Sequence, residues 1–488
     1  MYSKAIRPCI RPLALRRYSV CPVFINGQYI DGESALHFDV VNPRSKQTVG
    51  IAQGCSDDLA DKAIESSYVS FQTWKHGSPH ERRDILLGAV DRLVKTKEEG
   101  LELSRTEIDL DPGFASFIYD LGIELFKYCA SITTSLDGTI PYSLDKNAIP
   151  LVYRQPIGPV LGITPWNAPG VLATRAFLFP IAAGCTSILK TPSAAPASCF
   201  HFAKALIESG LPPGVLNVVH GSDTQTPGLI NRIIAAPEIR KINYTGSTNI
   251  GRKIAVAAAE HVKPVCLELG GKAVSLILED ADLEKAAESV LFGAFLNKGQ
   301  VCMSTEITLV PRSKIHQFEE LLKTMAPLIL DTIGFSESGA LSSSSHFERF
   351  TNLVHSAKSD GARVLFESIN SSQLPFVVLS DIPSSTALAT DESFGPQLSV
   401  LSYDTLEEAL KVVNSLEYGL NAAVWSGSTM KAIEVSKEIE AGSVHINGST
   451  VGDMPAVPHG GVKSSGYGRF GGIWGLEEYT VLKSVVLH

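Results

Sequence analysis

No Cys-x-x-Cys pair occurs among the eight cysteines of this chain; they are scattered at positions 9, 21, 55, 129, 185, 199, 266 and 302. That spacing argues against a structural zinc site and fits a reducing compartment, so no metal is expected. Nor does any apolar run reach the length of about 18 residues that a membrane-spanning helix needs, so a membrane is not an expected partner. Basic charge is short as well. Forty-two Lys and Arg stand against 51 Asp and Glu, a net charge of −9, which leaves no broad field for neutralising phosphates and removes nucleic acid from the expected partners. What is present is a chain of 488 residues, 44% hydrophobic, long enough to bury cores in more than one domain.

The first 30 residues differ from the rest. They hold Lys4, Arg7, Arg11, Arg16 and Arg17, with no acid before Asp31. Arg16-Arg17-Tyr18-Ser19 resembles the end of a mitochondrial presequence, which makes residues 1–20 a candidate targeting segment. Pro8 and Pro12 would each interrupt an amphipathic helix and favour a basic disordered tail instead. The expected compartment is therefore mitochondrial or cytoplasmic, and these residues leave both open.

Val23 to Asp31 reads as strand, turn and strand, with Asn26-Gly27 as the hairpin signal. Residues 57–105 carry a charged helical period. From Val152 onward, short apolar runs (160–163, 186–189, 215–219, 241–244, 273–278) alternate with helical stretches such as 197–209 and 226–235. The alternation resumes at 306–310, 377–379 and 398–403. Strands alternating with helices predict an α/β fold with parallel sheets. The Ser- and Gly-rich stretch 334–345 reads as a surface loop. Tyr479–Leu487 alternates and is apolar, as a terminal strand that pairs with something would be.

Within this frame Lys241–Gly251 reads as a strand, a Gly246-Ser247 turn and a helix starting near Asn249. Such a turn places backbone N–H groups where a pyrophosphate can sit, although the spacing departs from Gly-x-Gly-x-x-Gly and an ordinary βα turn fits equally. Lys190, in Lys-Thr-Pro-Ser ending at Ser193, closes another apolar strand and points to the crevice where α/β folds bind ligands.

The candidate chemical agent is Cys302, in Asn-Lys-Gly-Gln-Val-Cys-Met-Ser at 297–304. A thiolate is the best side-chain nucleophile near neutral pH and an aldehyde carbon is electrophilic. Attack creates an oxyanion that needs donors; the Asn167 amide and the Cys302 backbone N–H can serve. A thioester left after oxidation needs a base to activate water, and Glu268 is suited, because Gly270 and Gly271 leave room for close approach. Taken singly, Cys302 reads as a buried inert thiol, as Cys185, Cys199 and Cys266 do. Asn167 alone reads as a turn amide and Glu268 as a surface carboxylate.

Six motifs carry a resemblance. They are Thr-Pro-Trp-Asn at 164–167, Tyr-Thr-Gly-Ser-Thr at 244–248 and Leu-Glu-Leu-Gly-Gly-Lys at 267–272, then Gly-Gln-Val-Cys at 299–302, Glu-Ser-Phe-Gly-Pro at 392–396 and Gly-Gly-Val-Lys-Ser-Ser-Gly-Tyr-Gly-Arg at 460–469. Together they resemble the aldehyde dehydrogenase superfamily from about Val23 to the C-terminus. The resemblance implies NAD or NADP as cofactor and oxidation of an aldehyde to the acid. It makes Cys302 the nucleophile, Glu268 the general base and Asn167 the oxyanion donor. It puts Lys190 on the adenosine ribose, Glu392 on the nicotinamide ribose, Gly246 and Ser247 near the pyrophosphate, Trp166 along the cofactor cleft and Phe394 by the nicotinamide. It also implies a Rossmann-like cofactor domain (21–133 and 154–267), an α/β catalytic domain (268–470), and a small oligomerisation sheet (134–153 and 471–488) joining homodimers or homotetramers.

Departures from the pattern locate the finer expectations. Ser193 stands where many NAD-dependent members carry Glu against the ribose 2′-hydroxyl, so a 2′-phosphate is expected to be tolerated. Cys302-Met-Ser-Thr-Glu306, Asn167-Ala-Pro with Thr174-Arg175, and Gly466–Gly472 resemble the salicylaldehyde and vanillin dehydrogenase branch, implying an aromatic or bulky aldehyde. Ala168 is small and would widen the tunnel. Met303 is a further substrate candidate. Arg175 would meet a polar substituent or form a structural salt bridge. His459 falls where relatives usually place an apolar ring by the substrate entrance. The alternatives carried with this reading are a CoA-acylating dehydrogenase, a thiol esterase, and a silent relative that only binds.

Overall fold

The computed structural model describes residues 20–335 and 339–488. The candidate targeting segment, residues 1–20, lies outside the described residues except for Val20.

Two parallel-dominated sheets organise the chain. The first runs, in spatial order, Gly466–Tyr467, Val265–Glu268, Lys241–Thr245, Val160–Ile163, Ser187–Lys190, Leu216–Val219, Val23–Ile25, Gln28–Ile30. Its five central strands are parallel, and both ends are antiparallel. Every residue of Val160–Ile163, Ser187–Lys190 and Leu216–Val219 is buried, which is why they read as continuous apolar runs rather than alternating ones. The second sheet runs Arg363–Ile369, Pro375–Ser380, Gln397–Tyr403, Thr305–Pro311, Ala273–Ile277, Asn421–Trp425, Ser443–Ile446. The expected α/β architecture is thus present twice.

The hairpin forms at Asn26-Gly27, with Ile25 opposite Gln28 and both turn residues at positive φ (51° and 80°). The charged helical stretch resolves into Asp57–Trp74, Pro79–Lys95 and Lys97–Ile108. Ser78 and Glu81 form a capping box, which with Pro79 fixes the start of the middle helix.

The terminal strand Thr480–Leu487 pairs antiparallel with Ile149–Pro156, Leu487 opposite Ile149, as a separate two-stranded sheet. The partner strand therefore extends to Pro156, beyond the expected boundary at 153. Gly466–Tyr467, expected in the catalytic domain, adds an edge strand to the first sheet beside Leu267 and Glu268. The Ser-rich stretch gives way at Ser344 to the helix Ser344–Ser359.

In the first sheet the chain leaves Val160–Ile163 toward Ser187–Lys190 and Leu216–Val219, then returns to its other side with Lys241–Thr245. The strand order reverses there, and the carboxyl ends at that reversal open a ligand crevice.

Candidate active site

A cavity of about 520 Å³ occupies this crevice. Its walls come from three sources. Pro165, Trp166 and Asn167 follow the strand Val160–Ile163; Thr245 to Asn249 and Glu268 to Gly270 follow the next two strands; Cys302, Glu392 and Phe394 come from the second sheet's side. The nucleophile, base and amide donor expected from the sequence meet in this one space.

The segment before Cys302 is held in an unusual backbone. Asn297, Lys298 and Gly299 are consecutively left-handed, at φ 49°, 60° and 69°. Glycine and asparagine adopt this region readily, but lysine rarely does, so surrounding contacts must over-determine it at Lys298. Buried Lys298 supplies them, donating to the Asp111 carboxylate at 3.0 Å and the Asp109 carbonyl at 3.2 Å. The turn that follows presents Cys302, which is partly exposed, while the other described cysteines are buried. Burial raises the thiols of Cys185 (to about 11), Cys199 and Cys266, as inert thiols require.

Glu268 is 1% exposed, which excludes the surface-carboxylate reading. Neither of its carboxylate oxygens has a hydrogen-bond partner. The Asn167 amide donates to the Gln300 carbonyl at 3.1 Å, so it is tied to the Cys302 turn and is not a local turn cap. Burial first, then Glu268 through its charge and its contact with the thiol, then the Glu392 charge, hold the Cys302 thiol well above its ordinary range; Arg175 opposes them. The two glycines do leave room for close approach. A Cβ on Gly270 would lie 2.4 Å from the Glu392 carboxylate, and one on Gly271 would lie 2.3 Å from the Cys302 carbonyl oxygen.

Glu392 accepts from the Gly271 N–H at 2.9 Å, and burial, with Glu306 nearby, pushes its carboxyl up from 4.5 to about 8. The folded chain thus holds a proton that the unfolded chain loses between those values, and stability falls as pH climbs through that window. Glu392→Gln is expected to flatten this fall, so that the variant gains Tm over the wild type as pH rises from about 5 to about 8; parallel slopes in thermal scans would contradict it. Phe394, at φ 52°, meets Trp166 edge-on with ring centroids 6.1 Å apart.

Sequence reading did not find the post that holds this segment. Lys272 and Glu306 form a fully enclosed ion pair at 2.6 Å. Glu306 also accepts from the Ser393 and Phe394 backbone N–H groups (2.9 and 3.3 Å) and from Gln397 at 3.1 Å. Both residues sit in quoted motifs, yet nothing local marks them as partners. Arg349, which donates to the Glu392 carbonyl at 2.7 Å, and His346, tilted against Phe394, were missed for the same reason.

The remaining candidates lie outside the cavity lining. Lys190 ends its strand buried; burial lowers its amine to about 8, against the opposing pull of Asp223. Ser193 donates to Asp223 at 2.5 Å, so a carboxylate does stand at the position that the sequence assigned to a neutral serine. Arg175, 2% exposed, donates to both oxygens of Asp453 at 2.5 Å: of its two expected roles, the salt bridge is the one formed. Met303 is 8% exposed and packs in the apolar core, while Ala168 opens the helix Pro169–Ala183 and packs against that core. His459 is buried and its Nε2 lies 3.8 Å from a Glu268 oxygen.

The crevice fits a dinucleotide. Ser247 makes no side-chain cap to the helix Thr248–Glu260, and that helix carries no acid in its first turn. Its leading N–H groups are therefore open, beside the cavity, to an anionic group.

A profile of the Aldehyde dehydrogenase family matches residues 29–485. The chain belongs to the aldehyde dehydrogenase family. It is 37% identical over 470 residues to a vanillin dehydrogenase of Pseudomonas fluorescens, covering 96% of this chain and 97% of that one. It is 35% identical over 468 residues to a salicylaldehyde dehydrogenase of Pseudomonas putida, covering 94% and 96%. The crystal structure of a salicylaldehyde dehydrogenase from Pseudomonas putida G7 complexed with salicylaldehyde superposes with a TM-score of 0.91 at 33% identity, covering 96% of this chain and 98% of that one. This aldehyde dehydrogenase oxidises an aldehyde with NAD(P), through Cys302 with Glu268 beside it.

Proposed function

We propose that the substrate is an aromatic aldehyde and that the product is its carboxylic acid. The observation that carries this is similarity over nearly the whole chain to enzymes named for vanillin and salicylaldehyde, one of them superposing on this fold at a TM-score of 0.91.

Cys302 attacks that carbon, and the Asn167 amide with the Cys302 N–H receives the oxyanion. Bound in the crevice, the nicotinamide supplies the hydride acceptor. Glu268 then takes a proton from water, which cleaves the thioester on Cys302. Gly246 and Ser247, at the open helix start, receive the pyrophosphate, and Lys190 and Glu392 the two riboses. The unit around the first sheet (21–133 and 154–267) holds the cofactor and 268–470 carries the nucleophile. The sheet of Ile149–Pro156 and Thr480–Leu487 joins subunits as homodimers or homotetramers. Its exposed Ile149, Tyr153, Leu482 and Leu487 support that assignment.

Both cofactors are competent in this reading, and Asp223 tips the balance toward NAD by repelling a 2′-phosphate. Asp223→Ala is expected to raise the NADP-to-NAD ratio of kcat/KM by about 10-fold. An unchanged ratio would remove Asp223 from the ribose site.

The test of substrate class is a panel of substituted benzaldehydes against short aliphatic aldehydes, with each cofactor and with or without CoA. Aromatic aldehydes should give the higher kcat/KM, without any need for CoA. A preference for aliphatic aldehydes would overturn the reading, and dependence on CoA would select the acylating alternative.

A further inference from the structure

Glu268, Cys302 and His459 each offer one donor atom, and the three atoms lie within 4.8 Å of one another. Two of these residues belong to the chemistry above. The third is not needed for it. His459 is 4% exposed, its Nε2 has no hydrogen-bond partner, and 3.8 Å to the Glu268 oxygen is too long for one. Both Glu268 oxygens are buried without partners as well. Glu268 and Cys302 line the same cavity, and with no other protein partner on the Glu268 oxygens or the His459 Nε2, these donors are free to turn to one ion beside the thiol.

We propose that Cys302, Glu268 and His459 form an inhibitory site for a thiophilic divalent metal, zinc being the best match. Sulfur, nitrogen and carboxylate oxygen are zinc's donor set. Metal–ligand bonds of about 2.0–2.3 Å in a tetrahedron set the donors about 3.3–3.8 Å apart, so only a small contraction is needed. Binding releases the Cys302 thiol proton to solvent as the sulfur–metal bond forms. The thiolate and the Glu268 carboxylate then cancel the two positive charges, leaving a neutral cluster, which suits an enclosed site.

The donors are fixed by backbone rather than by loose loops. Glu268 ends a strand and pairs with Thr245 on one side and Gly466 on the other. His459 and Phe470 exchange backbone hydrogen bonds of 2.7 and 2.8 Å. The Cys302 carbonyl rests against Gly271. Such preorganisation favours a metal that needs a set geometry. Occupancy removes the nucleophile and the base together, so a bound metal stops turnover; that consequence rests on the dehydrogenase reading, whereas binding does not.

The experiment titrates the metal-free enzyme with zinc chloride against a chromogenic zinc indicator, and in parallel with cobalt(II) chloride, with aldehyde oxidation followed separately. Expected are one zinc per chain, a thiolate-to-cobalt charge-transfer band, inhibition reversed by EDTA, and no effect of magnesium, which prefers oxygen donors. His459→Phe should weaken zinc by more than about 100-fold, each variant being scored against its own zinc-free rate. Cys302→Ser should abolish the cobalt band. Should His459→Phe fail to fold, the cobalt spectrum of the wild type still decides. Absence of the band, or zinc affinity unchanged in His459→Phe, would overturn the site. An inactive wild type that still binds zinc would instead count against the substrate reading alone.

Discussion

Glu268→Gln is expected to turn steady oxidation into a single burst, one reduced cofactor per active site, followed by turnover slower than wild type by about 10²–10⁴-fold. The substitution keeps shape and volume in a site where the side chain is 1% exposed, so the fold should be undisturbed. What it removes is the group that can take a proton from water once the thioester has formed. It also removes the negative charge that, after burial, does most to hold the Cys302 thiol high. The first half of the reaction should therefore not slow. Alkylation of Cys302 in the variant should reach a given rate at lower pH, because losing a neighbouring anion favours the thiolate. Rapid-mixing absorbance reports the burst, and a pH series of iodoacetamide inactivation reports the thiol. If the burst disappears together with turnover, Glu268 acts before thioester formation rather than after it.

Cys302→Ala is expected to lower kcat by at least about 10⁴-fold while cofactor binding survives. Among the described residues the other cysteines are buried, so no second thiol is placed to take over. The residue is partly exposed at the cavity, and truncating it should cost about 1 kcal/mol or less in stability. Nucleotide fluorescence quenching and a thermal scan check those two points beside the rate. Retained oxidation with intact binding would mean that the carbon is attacked by something other than this sulfur.

Much of this was readable in the chain, for identifiable reasons. Strands buried on both faces leave continuous apolar runs, so 160–163 was legible to the residue and its neighbours to within one or two. Positive-φ turns demand particular residues, so Asn26-Gly27 gave away its hairpin. The three reacting groups were legible because each sits in a distinctive motif. Pairings between distant segments left no local trace. Ser193 looked neutral because Asp223 is thirty residues away on another loop. Arg175 could be assigned to a substrate as readily as to Asp453, which lies 278 residues on. The Lys272–Glu306 pair links two strand ends of the second sheet, and neither period nor composition announces a buried ion pair. His459 reaches Glu268 because Gly466–Tyr467 pairs with the strand that ends there, a two-residue element too short to carry a pattern.

Mass spectrometry of enzyme quenched during turnover bears most directly on the covalent route through Cys302. Glu268→Gln, mixed with an aromatic aldehyde and NAD and quenched in acid after the burst, should carry one acyl group of the substrate on the peptide containing Cys302, and Cys302→Ala should carry none. Reduced cofactor accumulating while the Cys302 peptide stays unmodified, or an acyl group found on another residue, would contradict it.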